Sequence, residues 1–511
     1  MAWFNLHNMS GLLRVPSSLH PFFKPFAFSS LFALAGAGLA CGGIDDPNPG
    51  HHLAEAGSSA AGAGVGGSGS AGAPTTGGNN NGGLAGSSAA GSSATAGSGG
   101  SVAGAGSFAG SGNVAGSGNA AGSGSGGSGG ITGGPWVGTW SASPYATASD
   151  GQPPIGLSNA VARQITHASL GGNRIRVQFS NILGTKALEI KAAHVALCKA
   201  TPLVDGSIDT ATDKALTFSG VANVSIPAGK EVWSDPLDFA LPALGNLAIT
   251  TAFGAGVPTD TTLTSHNGAR TDSYVVANST DVSAANLSSA QHNQHWWVIS
   301  GIDVVAAADA KGIVAIGDSI TDGRGVTPNA NNRWTDLLAK RLQMNAATAN
   351  VSLMNQGIGG TNLVGTGTAA EARFARDVLG QSGVKYVIIF DGTNDIGYSS
   401  NIANTFNSMK AVYDKLIKAG HDKGLLVYGA TILPFNGNSY YTVDHETLRQ
   451  QVNTYIKSGA FDGVIDFDAS LTDGKTPPSM VAGAKSVDGL HPGPEGYQMM
   501  ADKVDLTLFT K

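Results

Sequence analysis

The chain has 511 residues, of which 74 are glycine, with a formal net charge of -6 and a pI of about 6.0. The glycines are crowded into one stretch, so the length able to bury a core is shorter than the total suggests. Lysines and arginines are dispersed, without the basic blocks that neutralise phosphates, which argues against nucleic acid as a partner. Cys41 and Cys198 are the only cysteines, in unlike contexts, so a disulfide framework is not expected. Cys198, in the alternating stretch His194-Val195-Ala196-Leu197-Cys198, reads as a buried thiol.

At the N-terminus, Arg14 and Lys24 precede an apolar run from Phe26 to Ala40. That run is short for a membrane span of roughly 20 residues but suits the hydrophobic region of an export signal. Cys41-Gly42-Gly43 follows at once. A small residue before cysteine there resembles a bacterial lipobox, although Gly38 sits where a leucine is usual. Cys41 is therefore a candidate lipidation site and membrane tether, and residues 1–41 are expected to direct export to the cell envelope or the medium. Residues 42–134 are almost wholly Gly, Ala, Ser, Asn and Thr. Such a segment cannot bury enough apolar surface to offset the entropy of ordering, and a coil of that length spans roughly 55 Å r.m.s..

Composition changes abruptly at Pro135. From there to residue 308 short alternating runs, such as Arg174 to Phe179, Asn223 to Pro227 and Ser273 to Val276, are separated by turn clusters such as Gly171-Gly172-Asn173. The spacing predicts an all-β sandwich of jelly-roll type. His292 and His295 have a metal-like spacing, yet no carboxylate or cysteine cluster accompanies them, and Trp296-Trp297 reads as a core strand.

Residues 309–511 switch to strand, loop, helix. Strands are predicted at Ile313 to Ile316, Val384 to Phe390, Leu425 to Tyr428 and Val464 to Phe467, with helices near Arg333 to Leu342, Ile402 to Lys418, His445 to Ser458 and Glu495 to Leu508. That order predicts a doubly wound α/β fold with a mostly parallel sheet, in which ligands gather beyond the carboxyl ends of the strands.

The residues able to do chemistry fall there. The first strand runs into Gly317-Asp318-Ser319-Ile320-Thr321-Asp322-Gly323, which puts Ser319 at its end. A serine alcohol needs an imidazole to take its proton, and the imidazole needs a carboxylate to fix its tautomer. Asp488-Gly489-Leu490-His491 offers both from one loop. A tetrahedral oxyanion needs donors aimed at the developing charge. The loops Asn355-Gln356-Gly357-Ile358-Gly359-Gly360 and Gly392-Thr393-Asn394-Asp395 could supply a backbone N–H and a side-chain amide. Each motif also has a plainer use: Ser319 as a helix N-cap, Asn394 and Asp395 as an Asx-turn, and Asp318, Asp322 and Asp391 as loop-shaping acceptors.

Four blocks in this order, Gly-Asp-Ser, Asn-x-Gly-x-x-Gly, Gly-x-Asn-Asp and Asp-x-x-His, resemble those of the SGNH (GDSL-type) hydrolase superfamily. The region from Pro135 resembles the N-terminal β domain of one bacterial esterase subgroup within it. The resemblance implies a serine esterase with Ser319 as nucleophile, His491 as general base then acid, and Asp488 orienting it. It further implies an oxyanion hole formed by the N–H groups of Ser319 and Gly360 and the amide of Asn394, with Gly359 the alternative to its neighbour. No cofactor or metal is implied. The substrate would be a small acyl ester or an acylated polysaccharide, with glycan held by the β domain in the second case. A surface glycan-binding protein with a decayed hydrolase domain is the reading from another class.

Overall fold

The parallel sheet is where the chain's most apolar runs go. Ile313, Val314, Ala315 and Ile316 are all fully buried, as are Tyr386, Val387 and Ile388 on the neighbouring strand. Continuous apolar strands of this kind need cover on both faces, which helices provide. The computed structural model describes residues 134–199, 206–484 and 488–511, all within one compact unit. The export segment, Cys41 and nearly all of the glycine-rich stretch lie outside the described residues.

Five parallel strands run in the order Val351–Gly357, Lys311–Gly317, Val384–Phe390, Leu426–Ala430, Gly463–Ile465. The strand that comes first in the chain thus lies between the second and third, so the chain steps to one side of it and then crosses over to the other. A crevice opens at such a switch point, beyond the carboxyl ends. Ser319 follows the end of that strand, where Gly317 pairs with Gly357 on one side and Phe390 on the other.

Several boundaries differ from the sequence reading. Asn355, Gln356 and Gly357 belong to a strand that apolar periodicity does not announce, so the loop begins only at Ile358. Phe467 is not the end of a strand but opens a helix, Phe467–Leu471, capped by the Asp466 carboxylate. Arg333 is the residue before its helix, Trp334–Met344, rather than its first turn. The helix expected from His445 is Val443–Ile456, entered through Thr442, whose hydroxyl accepts from His445 N–H. The last helix, Pro494–Lys503, starts with proline, which suits a first turn, and gives way to a 3-10 turn at Leu506–Phe509.

Residues 136–305 form antiparallel sheets. One carries Trp136–Ser141, Ile299–Val305, Gly172–Asn181 and Lys230–Trp233, with Leu237–Leu241 paired to the third. Another runs Gln291–Asn293, Ser273–Ala277, Ala160–His167, Asn246–Phe253, Leu188–Leu197 and Lys214–Ala215. Ile175, Val177 and Phe179 of the first share one buried core with Ile190, Val195 and Ile249 of the second. Trp296-Trp297 is a buried two-residue strand, as expected of it. Cys198 is partly rather than fully buried, and burial pushes its thiol up to about 12, which leaves it a poor nucleophile.

This antiparallel region grips the turn that bears Ser319. Asp322, the last residue of the helical turn Ser319–Asp322, is buried and accepts from His266 Nε2 at 2.9 Å and Arg270 Nη2 at 3.0 Å. Burial alone would raise its pKa, but Arg270 and His266 outweigh that and hold it below the usual carboxylate range. Arg333 completes the joint, donating to the Asp322 carbonyl at 2.8 Å and to the carbonyls of Gly268 and Ala269 at 2.9 and 2.6 Å. Asp322→Ala would take this carboxylate from buried His266 and part-buried Arg270, and should lower the unfolding free energy by about 3 kcal/mol. Denaturant titration measures it, and a midpoint within error of the parent protein would contradict this account of the joint.

Candidate active site

Ser319 owes its freedom to its neighbour. Asp318 caps the short helix, its Oδ1 accepting from Ile320 N–H at 2.9 Å, so the capping duty falls on Asp318 and not on the Ser319 hydroxyl. That hydroxyl instead lies 2.8 Å from His491 Nε2. The other ring nitrogen, Nδ1, is 2.6 Å from Asp488 Oδ2, which assigns it the proton and leaves Nε2 as the acceptor. Asp488 Oδ1 accepts from the N–H groups of Leu490 and His491 at 2.9 and 3.0 Å. Burial tends to raise the Asp488 pKa, but these bonds, above all those from His491, hold it far below the ordinary aspartate value. Ionised at any working pH, it can stabilise an imidazolium beside it. Arg324 Nε stands 4.0 Å from the same carboxylate.

The residues expected to form an oxyanion hole lie on the loops that follow the two strands flanking Lys311–Gly317. Asn394 is buried on the short helix Thr393–Gly397 and donates from Nδ2 to the Thr361 carbonyl at 2.7 Å, tying the loop after Val351–Gly357 to the loop after Val384–Phe390. Its second N–H is left for a ligand. Gly359 and Gly360 are both exposed. Gly360 has φ +75° with open space around it, whereas a β-carbon at Gly359 would stand 3.9 Å from Ser319 Cβ. Glycine is demanded below this as well: a β-carbon at Gly357 would collide with the Asp322 backbone N–H, and one at Gly317 with the Phe390 carbonyl.

Arg373 is the largest element that sequence reasoning missed. It is 2 % exposed and donates to the carbonyls of Gly317 and Gln356 at 2.9 and 2.6 Å, and to Ser143 Oγ at 3.1 Å. One guanidinium thus joins the ends of two parallel strands to the antiparallel region. An arginine amid Glu371-Ala372-Arg373-Phe374 looks like a solvated helical position, and nothing local marks it otherwise. Asn438, whose Nδ2 donates to the Asp488 carbonyl at 2.9 Å, was equally unmarked. The histidine pair set aside as a metal site has separate partners: His295 Nδ1 meets the Asn267 carbonyl at 2.5 Å, and His292 lies 3.6 Å from Asp272. Among the described residues no cluster of three or more metal-binding side chains occurs.

Three further carboxyls lie behind the crevice. Asp318, Asp391 and Asp395 are all raised, by burial first, and Asp391 also by its neighbours Asp318 and Asp395. Asp395 accepts from Leu363 and Val364 N–H at 2.7 and 3.0 Å, which favours its ionised form, but burial prevails and pushes it up to about 6. A raised carboxyl binds its proton more tightly in the folded than in the unfolded state, so its contribution to stability falls as pH rises. For Asp395 that window runs from the ordinary aspartate value of about 4 to about 6. Melting temperatures across this range should therefore decline less steeply in Asp395→Asn than in the parent. An unchanged slope would mean that Asp395 is ionised throughout.

A family model described as the GDSL-like Lipase/Acylhydrolase family matches residues 315–499. Residues 315–499, which hold Ser319, Gly360, Asn394, Asp488, His491 and most of the parallel sheet, thus match a domain of the GDSL-like lipase/acylhydrolase family. Solved structures similar to this chain include a member of the lipolytic G-D-S-L family from Veillonella parvula, at 21% identity over 40% of this chain and 100% of that one, TM-score 0.31. A GDSL-like lipase from Bacteroides thetaiotaomicron is 19% identical over 40% of this chain and 90% of its own, TM-score 0.29. A catalytic mutant of an acetylxylan esterase from Geobacillus stearothermophilus is 19% identical over 38% and 91%, TM-score 0.31. No curated protein matches the chain.

Proposed function

We propose that this protein hydrolyses carboxylic esters through an acyl-enzyme on Ser319. The observation that carries the reading is the unbroken relay from Ser319 Oγ to His491 Nε2 at 2.8 Å and from His491 Nδ1 to Asp488 at 2.6 Å. Ser319 attacks the ester carbonyl while His491 accepts its proton, and the tetrahedral oxyanion is met by the N–H groups of Ser319 and Gly360 and the free amide N–H of Asn394. His491 then protonates the departing alcohol, and water repeats the sequence to release the acid. The Gly360 assignment follows from its place in the second sequence block, five residues after Asn355. The antiparallel region, read as a β-sandwich of jelly-roll type, serves here as a scaffold for the turn that bears Ser319.

A fluorophosphonate probe should label the protein at Ser319 and leave Ser319→Ala unmodified; failure to label the parent protein would sink the enzyme reading. Asp488→Asn should lower kcat by roughly 10³–10⁴-fold, because a neutral amide cannot hold the Nδ1–H tautomer.

The same reading includes export with Cys41 as a lipid anchor, supported by the apolar run that precedes it. Cys41→Ser should move the protein from the membrane fraction to the soluble fraction of a bacterial host. Equal membrane association of both forms would remove the anchor from the proposal.

A further inference from the structure

Asn394 can serve an oxyanion only if its amide faces the right way round, and a terminal amide torsion has a broad, nearly two-fold profile of its own. Its orientation has to come from partners at both ends. The Thr361 carbonyl accepts from Nδ2 at 2.7 Å, and the Tyr440 hydroxyl donates to Oδ1 at 2.9 Å. Turning the amide over would set Oδ1 against the Thr361 carbonyl oxygen and end the phenol's donation to the amide oxygen, so the Thr361 carbonyl selects the orientation and the phenol adds its donation only in that orientation. In that orientation one N–H remains for the substrate.

We propose that Tyr440 is a positioning residue for ester hydrolysis, acting through Asn394 to orient and polarise the amide N–H that meets the oxyanion. The inference rests on the reading of the site given above. As charge builds on the substrate oxygen, donation from the phenol to the far end of the amide strengthens its N–H, because hydrogen bonds in a chain polarise one another. The benefit is greatest when the charge is greatest, so it belongs to the transition state more than to substrate binding.

The phenol is built to stay in place and to stay protonated. Burial, and after it the neighbouring Tyr398 hydroxyl, raise its pKa above the ordinary tyrosine value, so it remains a donor. Its ring packs edge-on to Tyr398 at 5.0 Å between centroids, and against Gly397, where a β-carbon would collide with it. Its backbone is pinned by Asn438 Oδ1, which accepts from Tyr440 N–H at 2.9 Å, and by His445 Nδ1, 2.6 Å from the Tyr440 carbonyl. Asn438 also donates to the Asp488 carbonyl. The single loop Asn436 to Tyr441 therefore reaches both the oxyanion donor and the base-orienting carboxylate.

Steady-state kinetics on a chromogenic ester test this. Tyr440→Phe should lower kcat about tenfold with KM unchanged, and should weaken a boronic acid transition-state analogue by the same factor. In an Asn394→Ala background the same substitution should have no further effect, since its route of action is gone. 4-Aminophenylalanine at position 440, which keeps a donor, should restore most of the activity, and it also guards against a Phe variant that fails to fold. An unchanged kcat, a loss expressed in KM, or an equal loss without Asn394 would overturn the role. Ser319→Ala in the same assay separates the two failures: if it retains activity, the esterase reading falls, and if it is inactive while Tyr440→Phe is normal, only this inference falls.

Discussion

The Asp322 carboxylate is the constraint on which the rest of the catalytic crevice depends. Three residues after Ser319, it closes the turn through its own backbone N–H, which donates to the Asp318 carbonyl at 2.9 Å. Its side chain then takes bonds from His266 and Arg270, both supplied by the antiparallel region. A charge in that position is tolerable only because it is paired and fully hydrogen-bonded. The turn bearing the nucleophile is thus fastened from two sides, by the parallel sheet below and by the antiparallel strands beside it. Arg333 and Arg373 repeat the device with buried guanidinium groups, Arg333 bonding backbone carbonyls of both regions and Arg373 bonding the Gly317 carbonyl on one side and the Ser143 hydroxyl on the other. The crevice therefore has walls that cannot drift apart independently.

Within that frame the charges are sorted by depth. Asp488, at the mouth and bonded to His491, is held ionised, whereas Asp318, Asp391 and Asp395 behind the strand ends are pushed toward the neutral form by burial. Under the mechanism proposed above, the separation matters because a carboxylate must face an imidazole that becomes cationic, while further negative charge close behind an oxyanion would oppose its formation. Of the three aspartates within the motif blocks, Asp488 alone is held low, while Asp318 and Asp395, with Asp391 just before the third block, are raised. The aspartate of Gly-Asp-Ser adds a local service, freeing Ser319 by taking over the cap.

Much of this was legible in the chain. Long apolar runs such as Val384 to Phe390 specify buried parallel strands, and the positions of Ser319, Asn394, Asp488 and His491 relative to strand ends follow from elements and motifs in order. Legibility failed where a strand carries polar residues. Val351–Gly357 includes Ser352, Asn355 and Gln356; Asn355 Nδ2 donates to the Thr321 carbonyl and the Thr335 hydroxyl, and Gln356 Nε2 to the Ser141 hydroxyl, partners that no periodicity shows. It failed again for Arg373, Asn438 and Tyr440, each buried or half-buried by residues distant in sequence.

The sequence by itself named the candidates: a serine at the end of a strand, an imidazole and a carboxylate three residues apart on one loop, an amide after another strand, and the doubly wound sheet that carries them. These follow from local covalent pattern and residue type, which do not depend on what packs against them. Only the tertiary structure decided how the amide of Asn394 points, which aspartates carry charge, and that the antiparallel strands brace the turn at Ser319. Orientation and ionisation are set by neighbours brought together across dozens to hundreds of residues, and desolvation exists only once the chain has closed around them.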